Sequence, residues 1–343
     1  MKKYNVAVVG ASGAVGEEIL RILEEIDFPY NKIVPMASSR SAGNTVEFGG
    51  RELVIKELTE TVFAEEEIEI ALFSAGGSVS AKYAPCAAEA GAVVVDNTSH
   101  YRMNPDVPLV VPEVNPQDIA QWKKTGIIAN PNCSTIQMVQ ALKPLDDAYD
   151  LVRVDVSTYQ ATSGAGKSAM EELVRQMQDF FAFKLNESAH EKFPHQIALN
   201  LIPQIDVFTD NGYTKEELKM VNETKKIMHK SIEVSATCVR VPVLRGHSES
   251  LTLTFDSAVN ADEARHLLEK APNIVVVDNP TKSEYPMPAA CIDRNETFVG
   301  RIRNDLYRDN VLHLWVVADN LRVGAATNAV RIALKWVEMQ AEA

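Results

Sequence analysis

Short apolar runs alternate with segments of helical periodicity along the N-terminal part of the chain. The run "NVAVVG" has the composition of a buried strand, and "GAVGEEILRILEEI" places Ile19, Ile22, Leu23 and Ile26 on one face of a helix. Further strand candidates are "KIVPMAS", "IEIALFSAG", "AVVVDNTS", "LVVPEV" and "IIANP", with a second helix at "SVSAKYAPCAAEAG". Strand, helix and strand in this order predict a parallel, Rossmann-like sheet with helices on its faces.

The pattern changes after Cys133, where strand candidates alternate apolar and polar residues. These candidates are "LVRVDVSTYQAT", "SIEVSATCVRVPV", "SLTLTF" and "VLHLWVVAD", and helical patterns cover 166–181, 214–229 and 261–271. Such alternation is typical of a mixed or antiparallel sheet in an α+β domain. We therefore predict an α/β protein with two domains, at 1–132 and 133–323. The last helix, about 324–343, fits either domain by its pattern, and we assign it to the first.

Composition and charge narrow the classes of function. The chain has 343 residues, of which 46% are hydrophobic and 24% charged, as expected for a globular protein of roughly two domains. Its formal net charge of −13 disfavours nucleic acid and anionic membrane as partners. The N-terminal apolar run is too short for a signal peptide or a membrane span, so we expect a cytoplasmic protein. The four cysteines have no C-x-x-C spacing, which suggests neither a metal site nor disulfides.

A glycine-rich turn separates the first strand from the first helix. In "VAVVGASGAVG", Gly10, Gly13 and Gly16 permit a tight turn and a close approach of the backbone to a pyrophosphate at the helix N-terminus. The spacing G-x-x-G-x-x-G is less common than G-x-G-x-x-G, and a plain strand-to-helix turn would also use glycine. The position after an N-terminal strand favours a dinucleotide site. We expect contacts from Gly10, Ser12, Gly13, Ala14 and Val15.

The end of the second strand indicates which dinucleotide binds. An NAD site usually has an acidic residue there for the ribose hydroxyls. The sequence instead reads "MASSRSAG", so that Ser38, Ser39, Arg40 and Ser41 offer hydroxyls and a guanidinium. These groups suit a 2′-phosphate. An incidental surface arginine is the alternative, and we predict NADP as the cofactor.

Cys133 lies in "NPNCSTIQM", between a strand that ends at Pro131 and a helical pattern. A helix N-terminus stabilises a thiolate, and its N–H groups can hold an oxyanion. Most cysteines are small buried residues, and the other three fit that description, Cys86 in a helix and Cys238 and Cys291 in strand patterns. Cys133 is therefore the candidate nucleophile.

The motifs "VVGASGAVG", "SSRSAG", "NPNCSTIQ", "YQATSGAG", "NLIPQID" and "RVPVLRGHSES" together resemble those of the aspartate-β-semialdehyde dehydrogenases, in order and over essentially the whole chain. The resemblance implies a homodimer in which 1–132 binds NADP and 133–323 serves catalysis and dimerisation. It implies reduction of L-aspartyl-4-phosphate by NADPH to L-aspartate-4-semialdehyde through a cysteine thioester. The product feeds the biosynthesis of lysine and diaminopimelate, threonine, methionine and isoleucine.

The resemblance also implies roles for individual residues. Cys133 is the nucleophile, His247 the general acid/base and Gln160 the residue that orients the substrate. Arg240 and Glu216 bind the substrate carboxylate and amine. The remaining contacts that it implies are Arg102, Lys219 and Asn132 for substrate and phosphate, and Ser163, Gly164 and Asn320 for the nicotinamide.

Two of these assignments conflict with spacing alone. Arg240 and His247 are seven residues apart and would face opposite sides of one unbroken strand, although Pro242 and Gly246 allow a bend. Glu216 and Lys219, three apart on a helix, would by themselves be interpreted as a surface salt bridge.

Two other functions remain open at this point. The same mechanism could act on N-acetyl-γ-glutamyl phosphate, but Glu216 and Arg240 favour a free amino acid. A homologue that binds nucleotide without catalysis is the other possibility, and the presence of Cys133, Gln160, Arg240 and His247 argues against it.

Overall fold

The computed structural model describes residues 2–342, with only the backbone at position 342. The chain divides into two compact units, Met1–Asn132 with Ala325–Ala343, and Cys133–Gly324. Each unit is built around a six-stranded sheet.

The first unit contains a parallel sheet in the order β5-β2-β1-β6-β7-β8 and a separate β3–β4 hairpin. Its elements are β1 (Tyr4–Val9), α1 (Ala14–Glu25), β2 (Tyr30–Ala37), β3 (Thr45–Phe48), β4 (Arg51–Val54), β5 (Lys56–Glu57), α2 (Val62–Glu65), β6 (Ile70–Phe73), α3 (Gly77–Glu89), β7 (Val93–Asp96), a 3₁₀ segment (Pro116–Lys124) and β8 (Ile127–Ala129). Ile19, Ile22 and Leu23 of α1 are fully buried, as the periodicity predicts. The parallel, Rossmann-like sheet is confirmed.

The segment "LVVPEV" is not a strand, so that prediction is wrong. Leu109 makes only a single bridge to Ala129. Pro108 and Pro112 lack the N–H groups that a ladder needs, and the side chain of Asn115 bonds the backbone of Leu109 and Val111 instead. The apolar run is therefore a buried loop.

The second unit contains a mixed sheet in the order β10-β9-β11-β14-β13-β12. Its elements are α4 (Cys133–Tyr149), β9 (Leu151–Gln160), a 3₁₀ turn (Thr162–Ala165), α5 (Lys167–Phe181), a second 3₁₀ turn (Leu185–Glu187), α6 (Lys215–Met228), β10 (Glu233–Arg240), β11 (His247–Phe255), α7 (Ala261–Lys270), β12 (Ile274–Val276), a third 3₁₀ turn (Pro280–Lys282), α8 (Pro288–Cys291), β13 (Thr297–Asn304) and β14 (Val311–Ala318). The pairs β9–β10 and β12–β13 are parallel, and the others are antiparallel.

The core of this unit lies between one face of the mixed sheet and the helices α4, α6 and α7. Leu142 of α4, Met220 of α6 and Leu268 of α7 are fully buried in one cluster with Leu251 and Leu314 of the sheet. The predicted α+β architecture with a mixed sheet is confirmed. Because the helices cover that face of the sheet, side chains that point from it are withdrawn from water.

Two details of the C-terminal part of the chain differ from the predictions. Cys291 ends the short helix α8 and is not in a strand. The last helix begins at Asn328 and not near 324, because a π-helical turn, Arg322–Thr327, comes first. That helix, α9 (Asn328–Glu342), places Val330 and Trp336 in the core of the first unit.

Candidate functional site

The glycine-rich turn leaves no room for side chains at two positions. Gly10 has a φ of +88°, a backbone conformation that favours glycine. A Cβ at Gly16 would lie 2.1 Å from the carbonyl oxygen of Gly10, so the turn requires glycine there as well. Gly13 precedes α1, and no side chain caps this helix. The first N–H groups of α1, from Ala14 and Val15 onward, therefore suit an anionic ligand.

A cavity of about 580 Å³ opens beside this turn within the first unit. Its lining is Gly10, Ser12, Gly13, Ala37, Ser38, Ser39, Arg40, Glu57, Leu58, Ser74, Ala75, Val79 and Tyr83. Ser41 lies next to it, since the hydroxyl groups of Ser12 and Ser41 are 3.4 Å apart. The structure thus brings the glycine turn and the "SSRS" segment to one cavity.

Glu57 is a cavity residue that the sequence analysis missed. Glu57 is distant from the end of β2 along the chain. The strand β5 pairs with β2, however, and sets Glu57 beside Ala37. An acidic group is therefore present near the end of the second strand after all, supplied by a neighbouring strand. The pairing of a two-residue strand has no periodicity from which it could be predicted.

Arg102 lies at the carboxyl edge of the parallel sheet. Its Nε donates to the carbonyl oxygen of Asn130 at 2.9 Å, and its Nη2 donates to that of Asn97 at 2.9 Å. These carbonyls follow β8 and β7. The guanidinium is buried and held by backbone oxygens. Asn132, also buried, is the last residue of the first unit.

Cys133 is the first residue of α4, as the pattern predicts, and is partly exposed. Gly324 packs against it so closely that a Cβ at Gly324 would lie 2.6 Å from the Cβ of Cys133. The other three thiols are poor nucleophiles because burial raises the pKa of Cys86 and Cys238, and that of Cys291 to about 11. Cys133 alone of the four begins a helix.

Arg240, Gln160 and His247 form one row across the mixed sheet. Arg240 pairs with Gln160 in the parallel register of β10 and β9. Ser248 pairs with Tyr159 in the antiparallel register of β11, so His247, the preceding residue, lies beside Gln160 on its other side. The two residues that spacing would separate are thus on the same face, because the chain leaves β10 and returns as a different strand.

Two distances show that the side chains of this row converge. A Cβ at Gly164 would lie 3.0 Å from Nη1 of Arg240 and 3.2 Å from Nε2 of His247. All three row residues are buried, with Gln160 and His247 at 1% and 0% exposure. The turn that carries Gly164 therefore closes over both Arg240 and His247, and a side chain there would require one of them to shift.

The ring of His247 has a defined hydrogen-bonding state. Its Nδ1 accepts the backbone N–H of Ala161 at 3.1 Å, so the neutral ring carries its proton on Nε2. Nε2 has no partner among residues 2–342. Burial, and then the charge of Arg240, lower the pKa of His247 well below its usual range. The resting group is thus neutral imidazole with a free donor facing Gly164.

Arg240 is a buried cation without a carboxylate partner among the residues that the structure describes. Its Nη1 donates to the carbonyl oxygen of Ala161 at 2.6 Å, and its guanidinium lies 5.9 Å from the ring centroid of Phe193. Burial lowers the pKa of Arg240, against the negative charges of Glu216 and Cys133. A buried guanidinium in this setting favours an anionic ligand.

Glu216 and Lys219 are not the surface pair that their spacing alone suggests. Glu216 is buried, and its carboxylate accepts hydrogen bonds from Nε2 of Gln160 at 3.3 Å and from Nζ of Lys219 at 3.1 Å. Lys219 also bonds Asp206 at 3.0 Å. Burial lowers the pKa of Lys219, but the charge of Glu216 and the bond to Asp206 outweigh it, so that the pKa is raised. Glu216 thus connects α6 to the row residue Gln160.

Ser163 and Asn320, both predicted to contact the nicotinamide, contact each other. The hydroxyl of Ser163 lies 3.0 Å from Oδ1 and 2.9 Å from Nδ2 of Asn320. Asn320 also accepts the backbone N–H of Gly246 at 2.9 Å. The two side chains therefore sit at the turn that precedes His247 and the turn that carries Gly164.

A carboxyl group that the sequence analysis did not single out lies under this row. Glu249 follows His247 on the same face of β11 and is fully buried. Neither of its side-chain oxygens has a hydrogen-bond partner among the described residues. Burial raises the pKa of Glu249 well above its usual range, against a smaller opposite effect of Gln137. Burial therefore favours the protonated form of Glu249 in the folded protein.

We expect Glu249→Gln to stabilise the protein at about pH 8 but not near pH 4.5. Burial raises the pKa of Glu249 in the folded protein above that in the unfolded chain, so folding is penalised increasingly as the pH rises above the ordinary pKa of the group. Glutamine removes this penalty, which we expect to be on the order of 1 kcal/mol. Thermal unfolding of both proteins across that pH range measures the effect. Glu171→Gln, an exposed change on α5, is the control, and an equal gain at both pH values would contradict the assignment.

Among residues 2–342, no group of three His, Cys, Asp or Glu side chains could hold a metal ion. No helix in that range is long and apolar enough to cross a bilayer.

The chain matches known families in both of its units. Residues 5–122 match the family model "Semialdehyde dehydrogenase, NAD binding domain", and residues 142–323 match "Semialdehyde dehydrogenase, dimerisation domain". The first of these supports a nicotinamide cofactor. The second occupies most of the mixed-sheet unit.

Individual relatives extend over the whole chain. An aspartate-semialdehyde dehydrogenase of Campylobacter jejuni is 66% identical over 339 residues, 99% of each chain. The structure of aspartate semialdehyde dehydrogenase II of Vibrio cholerae complexed with ASA has a TM-score of 0.95 and 47% identity, with 98% of this chain and 99% of that one covered. A Candida albicans aspartate semialdehyde dehydrogenase with NADP has a TM-score of 0.74 and 26% identity, covering 97% and 98%.

Proposed function

The chain belongs to the aspartate-semialdehyde dehydrogenase family, oxidoreductases of amino-acid biosynthesis that act with phosphate, and on that premise we propose its reaction. It reduces L-aspartyl-4-phosphate to L-aspartate-4-semialdehyde with NADPH, through a thioester on Cys133. The product supplies the biosynthesis of lysine and diaminopimelate, threonine, methionine and isoleucine. One observation carries the proposal: a buried row of Arg240, Gln160 and His247 in the unit whose first helix begins with Cys133.

The reaction begins at Cys133. The N-terminus of α4 favours the thiolate, which attacks the acyl phosphate carbon. The carbon–sulfur bond forms as the bond to phosphate breaks, and phosphate leaves with its electron pair. NADPH, when bound, supplies the hydride that reduces the thioester. The resulting hemithioacetal collapses to the aldehyde and returns the thiolate.

His247 acts in this scheme through its Nε2–H. A neutral imidazole held in this tautomer donates a hydrogen bond to the substrate oxygen that becomes negative in each tetrahedral form. The bond from Ala161 to Nδ1 opposes the imidazolium form, because both groups would then be donors. In this tautomer Ala161 occupies the one ring nitrogen that has a lone pair, so His247 is a weak base and contributes the hydrogen bond that its Nε2–H donates.

Arg240 and Glu216 define the substrate as an amino acid with a free amine. The Arg240 fork is suited to a carboxylate, and the Glu216 carboxylate to an ammonium group. An N-acetylated substrate would offer Glu216 a neutral amide in place of an ammonium group, and a charged hydrogen bond would be lost. This difference supports aspartyl phosphate over acetylglutamyl phosphate.

Phosphate binding is assigned to Arg102 and Lys219 on the family resemblance, with Asn132 at the end of the loop before Cys133. Arg102 is buried, and its guanidinium is oriented by the backbone carbonyls of Asn130 and Asn97. Lys219 is held by Asp206 and Glu216. We assign both cations to the phosphate.

The cofactor that fits the cavity of the first unit is NADP. The tight backbone at Gly10 and Gly16 leaves space for a pyrophosphate at α1, and Ser38 and Arg40 offer donors to a 2′-phosphate. Glu57 lies in the same cavity and would repel that phosphate or accept a bond from a free 2′-hydroxyl. The balance of Arg40 and Glu57 sets the preference between NADP and NAD.

We expect Arg40→Ala to lower kcat/KM for NADP by about 10- to 100-fold, the loss of one charged hydrogen bond, and to leave that for NAD nearly unchanged. Glu57→Gln should shift the ratio the other way, since it removes the negative charge that disfavours the 2′-phosphate. Initial rates with each cofactor give the ratio. Arg51→Ala, an exposed arginine of β4, serves as the control, and loss of NAD and NADP activity in equal measure would overturn the role of Arg40.

A homodimer is supported by the dimerisation-domain match. The face of the mixed sheet opposite the row carries the half-buried aromatic pair Tyr159 and Trp315, whose ring centroids are 5.5 Å apart. We place the contact between subunits on this face. Light scattering that gives the mass of a single chain would exclude it.

The function is tested by following NADPH formation from aspartate semialdehyde with and without inorganic phosphate. Turnover should require phosphate, and kcat/KM for N-acetylglutamate semialdehyde should be at least about 100-fold lower. Phosphate-independent oxidation would indicate hydrolysis of the thioester by water. Preference for the acetylated substrate would indicate the related reductase.

A further inference from the structure

The buried carboxylate of Asp319 is a hub of hydrogen bonds that the proposed mechanism does not use. Asp319 follows β14 directly, and its side chain is fully buried. Arg245 binds both of its oxygens, Nε to Oδ1 at 3.0 Å and Nη2 to Oδ2 at 2.9 Å. The backbone N–H groups of Leu321 and Asp293 donate to the same oxygens at 3.0 Å and 2.9 Å. Four bonds therefore hold this carboxylate in one orientation.

Through Arg245, Asp319 fixes the turn that leads into His247. Arg245 is two residues before His247, and Gly246 between them has a φ of +93°. The N–H of Gly246 donates to Oδ1 of Asn320 at 2.9 Å. Residues 245 and 246 are thus bonded to residues 319 and 320 by both side chain and backbone. These bonds fix the residue at which β11 starts, and they therefore fix the position of the His247 ring.

Through its backbone, Asp319 also fixes the segment behind Cys133. Its carbonyl oxygen accepts the N–H groups of Arg322 and Gly324, each at 3.2 Å. Gly324 is the residue that packs against the Cα and Cβ of Cys133. Asp319 therefore bonds both the segment that packs against Cys133 and the turn that precedes His247, although these two are far apart in sequence.

We propose that Asp319 and Arg245 are positioning residues, which hold Cys133 and His247 in their working relation. The inference rests on the proposed function, since it assumes that these two residues act on the substrate. Neither Asp319 nor Arg245 touches the substrate in this scheme. Their contribution is the geometry of the groups that do, and a displacement of about 1 Å is enough to slow such a reaction roughly 100-fold.

The test is Asp319→Asn. The amide keeps the shape of the side chain but places an NH₂ group against a donor in either orientation, so one of the two bonds from Arg245 and one backbone bond are lost. We expect kcat to fall by about 10- to 100-fold while KM for NADP changes little. We also expect a changed pH dependence of Cys133 alkylation by iodoacetamide, a property of the folded site that loss of stability alone does not alter.

A matched control is available in the same unit. Asp278 is also buried, pairs with Arg265, and accepts the backbone N–H groups of Arg301 and Ile302 at 2.8 Å and 3.1 Å. None of these residues contributes to the row or to Cys133. Asp278→Asn should lower the melting temperature to a similar extent but leave kcat and the alkylation profile as in the wild type.

Arg245→Lys provides a second variant in case Asp319→Asn folds poorly. A single ammonium group replaces the guanidinium that bonds both carboxylate oxygens of Asp319, so an intermediate loss of kcat is expected. In a double-mutant cycle, Asp319→Asn and Arg245→Lys together should lose less than the sum of the two, because both weaken the same brace. Full additivity, or a kcat for Asp319→Asn within about twofold of wild type, overturns the proposal.

The proposed function and this inference fail in different ways. If Cys133→Ala retains turnover, the thioester mechanism is wrong whatever Asp319→Asn does. If Cys133→Ala is inactive while Asp319→Asn has normal kcat and a normal alkylation profile, the mechanism stands and only the brace is refuted.

Discussion

Cys133→Ala abolishes phosphate-dependent NADPH formation, with a loss of at least about a thousandfold in kcat. Removing the sulfur removes the group that forms the thioester, and no neighbouring residue in the described chain replaces it. The other thiols cannot substitute, since burial raises the pKa of Cys86, Cys238 and Cys291. The measurement is the initial rate at saturating semialdehyde, phosphate and NADP.

Binding of NADPH separates the chemical role from a structural one. The cavity beside Gly10 and Arg40 is in the first unit, so NADPH affinity, measured by fluorescence, should stay within about twofold of wild type. Cys86→Ala, a half-buried thiol within α3, is the matched control and should retain full activity. Residual turnover near the wild-type rate in Cys133→Ala would remove this residue from the mechanism.

Arg240→Lys raises KM for the semialdehyde by roughly 100-fold, the equivalent of about 3 kcal/mol of lost charged hydrogen bonding. Lysine keeps the charge but cannot bond two carboxylate oxygens in a plane, and its ammonium group cannot also reach the carbonyl of Ala161 in the same geometry. Because Arg240 is buried with no carboxylate partner among the residues described, the substrate is the group that compensates its charge.

A substrate without the α-carboxylate provides the control for Arg240. 3-Aminopropanal lacks that group, so its kcat/KM should be low with the wild type and change little on Arg240→Lys. Arg153→Lys, an exposed arginine near the start of β9 that pairs with Asp155 and Glu233, should have no effect on either aldehyde. An equal loss for both aldehydes would mean that Arg240 supports the fold of the site and does not bind the carboxylate.

Periodicity was enough to predict most of the fold. The run "NVAVVG" and the apolar face of α1 gave a parallel sheet, and the alternation in β9 and β14 gave the mixed one. Several strands were missed, among them the β3–β4 hairpin and β13, whose ladder is irregular between Gly300 and Arg303. The strand β12 has three residues and β5 has two, which is too short for alternation to be recognised, and the prolines around "LVVPEV" turned a strand-like composition into a loop.

The candidate site was predictable only in part. The placement of Cys133 at a helix N-terminus follows from local sequence, because the turn and the helix are contiguous. The convergence of Arg240 and His247 depends on strand order, which residue spacing does not contain. Glu57 and Asp319 were overlooked for a related reason, since each acquires its neighbours from a strand or turn that is distant in sequence.

The packing of Gly324 against Cys133 has a consequence for the order in which the protein is made. The two residues are separated by almost the whole of the second unit, so a chain still under synthesis presents the sulfur on a helix end that lacks its backing. A nascent or truncated chain that ends before Gly324 therefore lacks the residue that packs against Cys133. We therefore expect catalytic activity only after synthesis of the second unit is complete.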